Sequence, residues 1–238
     1  MNDRRPVSNP RRVPDNPLNL GGLDAAYRVA GMDIGLAERS ELLTIALREH
    51  FSEREAKNKA KKSLTRIWLN PPPEAAPMIA WALHNPQEFP DRRLMHGGAL
   101  IATYPFVGGI VAAVGQQAAL NEVVTVSELR HRVEASWGAT ATVSAAVGKV
   151  ITTLRRIGIV EGGGRTPVSR TTPLVASSLA STWLVHAIML TRGAQAIDVH
   201  DALTAPEAFW VKELAPSPEY PLLERHTEGL HRRVWATP

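Results

Sequence analysis

The sequence predicts a mainly α-helical fold with a small β component. Apolar residues recur at helical spacing over most of the 238 residues, and a glycine triplet followed by a proline marks a short hairpin near residue 165. The chain has no cysteine, which excludes disulfides and cysteine-ligated zinc and fits a reducing cytoplasm. With 44% hydrophobic and 21% charged residues, the chain can bury a core of ordinary size.

Composition and periodicity divide the chain into four regions. Residues 1–20 are rich in Pro, Arg and Asn and predict a disordered basic arm without a secretory signal. Residues 21–120 predict a helical domain, 121–172 a compact helix-turn-helix unit with a β-hairpin, and 173–238 a helical region packed on the rest. In this last region we expect helices over residues 174–190, 205–214 and 222–230, and a final strand over residues 232–236.

The helical domain contains recognisable helix starts and stops. Ser52 and Glu55 have the spacing of a capping box, which predicts a helix from there to about Leu69. Three prolines at 71–73 end it, because proline lacks the N–H that a helix needs. Asp91 is expected to cap a later helix.

The stretch from Leu94 to Asn121 contains no Asp, Glu, Lys or Arg and is long enough to cross a bilayer. Tyr104-Pro105 breaks it in the middle, however, and it also contains His96 and two glutamines. We therefore predict two helices packed in a core and no membrane span.

Residues 125–157 have the pattern of two helices joined by a short turn. Thr125 and Glu128 form a capping box, Gly138 ends the first helix, and Thr140 to Thr142 offer an N-cap for the second. The second helix has apolar residues on one face, at Val143, Val147, Val150, Ile151, Leu154 and Ile157. This arrangement predicts a helix-turn-helix motif.

A β-hairpin is expected directly after the second helix. Residues 159–161 favour a strand, Gly162-Gly-Gly164 favours a turn with positive φ, and 165–170 favours the returning strand. Residues 122–124 are expected to add a third strand. Together these elements predict a winged helix-turn-helix between about Glu122 and Arg170.

The exposed side of the second helix suggests contact with a polyanion. No Asp or Glu occurs between Thr142 and Val160, so no carboxylate would repel phosphate. Hydroxyls and small residues allow close approach, while Lys and Arg can contact phosphate or guanine. The predicted DNA contacts of this unit are Thr142, Ser144, Ala145, Lys149, Thr152, Arg155, Arg156, Arg165 and Arg170.

A second basic surface is predicted on the helix that follows Ser52. Six Lys and Arg lie between Arg54 and Arg66, with no acid after Glu55. A simple solvated face remains the alternative, but acids usually alternate with bases on such a face. We include three of these residues as candidate backbone contacts, namely Lys57, Lys61 and Lys62.

Several short motifs resemble the small DNA-binding proteins of BREX-type phage-defence islands, a family long labelled as putative inner-membrane proteins. The similarity covers about residues 100–165. The matching motifs are Tyr104-Pro-Phe106, Val114-Gly115, 125–130 (TVSELR), Trp137-Gly138, Thr142-Val143 and 154–160 (LRRIGIV). The resemblance implies a soluble, mostly helical protein that binds double-stranded DNA, with no catalytic residues to transfer and with other defence proteins as potential partners.

The sequence contains no recognised catalytic motif, and we expect no enzyme activity, cofactor or metal. It lacks a phosphate loop ending in Gly-Lys-Ser/Thr and a His-Glu-x-x-His helix. Asp198, His200 and Asp201 resemble metal ligands, but capping of a helix by Asp198 is the favoured interpretation. His186 and four tryptophans at 68, 81, 183 and 210 are expected in the core. The alternatives are a scaffold whose winged helix binds a protein, and a nuclease or other metal enzyme with an unrecognised site.

Overall fold

The computed structural model describes residues 13–120, 123–228 and 232–237 and shows a mainly helical fold with two small antiparallel sheets. The helices in chain order are α1 (Leu20–Ala30), α2 (Leu36–Ala46), α3 (Arg54–Leu64), α4 (Ala76–His84), α5 (Arg92–Thr103), α6 (Pro105–Leu120), α7 (Val126–Trp137), α8 (Ala141–Arg156), α9 (Ser178–Arg192) and α10 (Val199–Leu203). The strands are β1 (Val123–Val124), β2 (Val160–Gly163), β3 (Thr166–Arg170), β4 (Ala196–Asp198), β5 (Glu224–Glu228) and β6 (Arg232–Ala236). Short 3₁₀ turns lie at Leu47–Glu49, Pro86–Glu88 and Pro206–Ala208, and a π-helical turn, Thr65–Leu69, extends α3.

The two sheets contain different parts of the chain. The first has the strand order β1-β3-β2 and flanks α7 and α8, whereas the second has the order β4-β6-β5 near the end of the chain. All neighbouring strands in both sheets are antiparallel. The predicted final strand is confirmed as β6.

Helices α5 and α6 form the centre of the core and divide the uncharged stretch at Tyr104, as predicted. Small residues let neighbouring elements approach closely: a methyl group added at Gly98 would lie 2.2 Å from Cζ3 of Trp183 on α9. One added at Gly115 would lie 2.0 Å from the carbonyl oxygen of Pro206. In the parts of the chain that the structure describes, no helix is both long and apolar enough to cross a membrane.

The aromatic residues predicted for the core are buried, although Trp81 is only partly so. Trp183 is fully buried, donates from Nε1 to the carbonyl oxygen of Met78 at 2.8 Å and packs edge-on against Phe89. His186 is buried beside Tyr220, with 3.2 Å between Nδ1 and the phenol oxygen. The interpretation of His186 as a hydrogen-bonded core residue is therefore confirmed.

Burial of His186 predicts a loss of stability in mild acid. Desolvation lowers its pKa from 6.5 to about 4, so between these values the unfolded chain binds a proton that the folded chain does not. The free energy of unfolding should therefore fall as the pH drops from 6.5 towards 4, by about 2 kcal/mol at pH 5. Denaturant unfolding of wild type and His186→Gln at pH 7 and pH 5 checks this. The variant should lose less stability, and equal losses in both proteins would contradict the prediction.

Four sequence-based predictions differ from the structure. Ser52 does not cap α3: the N-cap is Glu53, without a side-chain bond, and Glu55 pairs with Lys59 at 2.5 Å instead. Residues 205–214 do not form a helix, and neither do residues 222–228, the part of the other predicted helix that the structure describes. The first segment holds one 3₁₀ turn that begins at Pro206, because the backbone at Trp210 and Lys212 pairs with Leu174 instead of continuing a helix. The second segment holds β5.

The fourth difference concerns the N-terminal arm. Residues 1–12 lie outside the described residues, but residues 13–20 pack on the protein and are not disordered. Leu18 is 0% exposed, and its N–H donates to Oγ1 of Thr153 on α8 at 3.1 Å. The N-terminal segment, defined here as residues 13–18, therefore belongs to the core domain.

Candidate nucleic-acid interface

Local capping determines where α7 and α8 begin. Oγ1 of Thr125 accepts from the N–H of Glu128, and the Glu128 carboxylate accepts from the N–H of Thr125 at 2.7 Å, so the predicted capping box is confirmed. Thr140 caps α8 by accepting from the N–H of Val143 at 3.2 Å. Residues 138–140 thus form a three-residue turn between two capped helices.

The apolar face of α8 holds the helix against the core. All six residues predicted for that face are buried, which leaves the opposite side of the helix accessible. At the end of α8, Arg93 on α5 donates to the carbonyl oxygen of Gly158 at 3.1 Å and ties this turn to the central helices. The accessible side of α8 is therefore held in a fixed position by packing on its other side.

Strands β2 and β3 form a hairpin beside α8, and β1 pairs with the far side of β3. A β-bulge lies between Glu161 and Gly163, and the turn uses Gly162 at φ +73° and Gly164 at φ +67°. A side chain at Gly162 would also collide with the carbonyl oxygen of Pro167, at 1.9 Å. The glycine triplet is therefore needed for both backbone conformation and space.

An open groove of about 400 Å³ lies between α7, α8 and the hairpin. Within the described chain, two arginines and no Asp or Glu line this groove. The lining residues are Val126, Ser127, Arg130, Gly148, Ile151, Thr152, Arg155, Gly162, Gly163 and Gly164. The groove is thus a positively charged cleft that Gly148, Ile151, Thr152 and Arg155 line on the α8 side.

Arg130 is the groove residue that the sequence analysis missed. It lies on α7, for which no DNA contact was predicted, and its Nε atom is buried without a hydrogen-bond partner among the described residues. Arg155 on α8 was predicted and is exposed. A guanidinium group from each helix therefore borders the same cleft, an arrangement suited to bind the oxygens of an anionic ligand.

The small residues of α8 that were predicted to contact DNA differ in their exposure to solvent. Thr142 and Ala145 are exposed, whereas Ser144 is half-buried. Thr152 lines the groove, but its hydroxyl donates to the carbonyl oxygen of Gly148 at 2.8 Å.

Lys149 and Arg156 lie at the edge of α8 and contact the N-terminal segment. Nζ of Lys149 donates to the carbonyl oxygen of Asp15 at 3.2 Å, and Nη1 of Arg156 donates to that of Pro17 at 3.3 Å. Carbonyl oxygens do not neutralise these cations, so both remain positive charges at the surface beside the groove.

The two predicted arginines of the hairpin are both exposed. Arg165 lies in the turn between β2 and β3, next to the glycines that line the groove. Arg170 lies at the other end of β3, opposite Val160.

The predicted basic residues of α3 separate into two groups. Lys62 forms an ion pair with Oδ2 of Asp15 at 3.3 Å, which places it beside the N-terminal segment. Lys57 and Lys61 are half-buried and lie on another flank of α3, since a step of one residue along a helix turns by about 100°. Of the three predicted residues, Lys62 contacts the N-terminal segment, which in turn contacts Lys149 on α8.

The candidate metal ligands do not converge in the described chain. In residues 13–120, 123–228 and 232–237, no group of three His, Asp or Glu side chains is arranged to hold a metal ion. The Asp198 carboxylate accepts from the N–H of His200 at 2.8 Å and caps α10, which confirms that interpretation.

Comparison with known proteins gives no relative from which a function could be transferred: no family model, curated protein or solved structure matches this chain. The residues and geometry of the groove are therefore the basis for inferring a function.

Proposed function

We propose that the chain is a non-catalytic double-stranded DNA-binding protein and that β1, α7, α8, β2 and β3 form a winged helix-turn-helix. Two capped helices joined by a three-residue turn, followed by a two-stranded hairpin, support this assignment of the fold. In this proposal α8 is the recognition helix and the hairpin is the wing.

The observation that supports DNA as the ligand is the groove lined by Arg130 and Arg155 without an acid among its described lining residues. Lys149 and Arg156 extend the positive charge along the edge of α8, and Arg165 extends it at the tip of the wing. The accessible side of α8 presents small residues and hydroxyls, which allow a helix to approach base edges closely. The negatively charged phosphates of DNA complement this positively charged surface.

A salt titration of the full chain with a labelled duplex tests the proposal. Each phosphate contact contributes about −0.9 to the slope of log K against log salt, so about four contacts give a slope near −3.6. A slope near zero, or no binding at about 0.05 M salt, would rule out this use of the surface.

A second candidate function is a scaffold in which the winged helix binds a protein. It is favoured by an exposed apolar pair beside the edge strand β1: Leu120 is 71% exposed and Val123 is 53% exposed. An edge strand with apolar neighbours can pair with an extended segment of another protein. Binding through this edge would depend on Val123 and only weakly on salt, which separates it from DNA binding.

The place of the protein in a phage-defence system, in the cytoplasm and beside other defence proteins, is proposed on the sequence resemblance alone. Methyltransferase and large ATPase genes next to its own gene would support that context. Incubation of plasmid DNA with the protein, with and without magnesium, tests the non-catalytic assignment, and magnesium-dependent cleavage would overturn it.

A further inference from the structure

The N-terminal segment places a second basic helix next to the proposed recognition helix. Asp15 contacts both: its carboxylate pairs with Lys62 on α3 at 3.3 Å, and its carbonyl oxygen accepts from Lys149 on α8 at 3.2 Å. Its N–H also donates to Oγ of Ser63 on α3 at 3.2 Å. Two ammonium groups from helices far apart in sequence therefore lie on either side of one residue.

The basic surface continues from Asp15 along α3. A cavity of about 310 Å³ is lined there by Asp15, Lys62 and Arg66, among others. Arg66 lies one helical turn after Lys62, with its guanidinium carbon 5.9 Å from the ring centroid of Tyr104. Lys62 remains 81% exposed despite its ion pair, so its charge is accessible from solvent.

We propose that DNA bound at the groove also passes over the N-terminal segment, so that Lys149, Lys62 and Arg66 form one phosphate-binding track with α8. This inference rests on the proposed DNA-binding function and extends it to a longer footprint. Asp15 is then a negative charge in the middle of the track. It positions two lysines but repels the phosphate that they attract, and so it limits affinity.

The track makes opposite predictions for neighbouring residues. Lys62→Glu should weaken binding about tenfold at ~0.1 M salt and reduce the magnitude of the salt slope by about one, because one phosphate contact is lost. Lys61→Glu makes the same charge change on the next residue of the same helix and should leave affinity within about twofold. Asp15→Asn should tighten binding several-fold, since the amide keeps the backbone contacts and removes the negative charge.

Fluorescence anisotropy with one labelled duplex measures all three variants beside wild type, with thermal melts to verify folding. Glu213→Gln, in an exposed C-terminal position, controls for the change in net charge made by Asp15→Asn. Equal weakening by Lys61→Glu and Lys62→Glu would show only a net-charge effect and overturn the track. The track would also be overturned if Lys62→Glu and Asp15→Asn kept wild-type affinity while Arg155→Glu in the groove lost binding. That result would leave the proposed DNA-binding function intact. Absence of binding by wild type would instead remove the proposed function itself.

Discussion

Replacing both Arg130 and Arg155 with glutamate is expected to weaken binding to duplex DNA by about 100-fold or more at ~0.1 M salt. In the proposed complex each arginine makes one phosphate contact, and each such contact contributes about −0.9 to the salt slope. The substitution also introduces two carboxylates into a groove that has none among its described lining residues. The measurement is a binding isotherm at several salt concentrations, in which the slope should become shallower by about two.

A double variant at Arg28 and Arg48 provides the matched control. Both arginines are exposed and lie on α1 and just after α2, so Arg28→Glu with Arg48→Glu changes the net charge equally but away from the groove. Because Nε of Arg130 is buried, Arg155→Glu alone is the second test if the double variant melts early. Near-wild-type affinity in a folded Arg155→Glu protein, or an equal loss in the control, would refute the groove assignment.

The second large effect is expected on stability. Gly98→Ala should lower the free energy of unfolding by about 3 kcal/mol, because the new methyl group would lie 2.2 Å from Cζ3 of Trp183. Trp183 cannot move away easily, since it is fully buried and its Nε1 donates to the carbonyl oxygen of Met78. At about 3 °C per kcal/mol, the melting temperature should fall by roughly 9 °C.

Gly148→Ala is the control on α8, where, apart from the neighbouring backbone of the same helix, no described atom lies within 4 Å of the added methyl group. It should raise stability by about 0.5–1 kcal/mol, because alanine favours a helix more than glycine does. If Gly98→Ala also stabilised the protein, α5 and α9 could not be packed as closely as the structure shows.

The central helices could be predicted from the sequence because their signals are local. The Thr125–Glu128 capping box, the Tyr104-Pro105 break and the apolar face of α8 each involve residues that are close together along the chain. The partners that Gly98 and Gly115 pack against, Trp183 and Pro206, could not be identified from sequence spacing.

Predictions failed where the decisive contact is distant in sequence. Leu18 looked like part of a polar arm, but a single apolar residue in such a segment can be fully buried by helices that come later. The role of Arg130 depends on α7 lying beside the hairpin, which no local pattern encodes.

The C-terminal region shows a different error. Trp210, Val211 and Leu214 are buried, as a helix would require, but the backbone is stabilised by a bridge to Leu174 instead. The N–H of Leu174 donates to the carbonyl oxygen of Trp210 at 2.7 Å, and the N–H of Lys212 donates back at 2.8 Å. Apolar spacing predicted the burial correctly and the secondary structure wrongly.

The hydrogen bond between Leu18 and Thr153 has a consequence for the order of folding. The two residues are 135 positions apart, so during synthesis Leu18 leaves the ribosome long before its partner exists. Helices α1 to α6 can form in that interval, whereas the N-terminal segment must wait for α8 to arrive. Contacts that close so long a loop form late and slow the folding of the whole chain. We therefore expect the N-terminal segment to dock in the last step of refolding, after the helices that it joins have already packed.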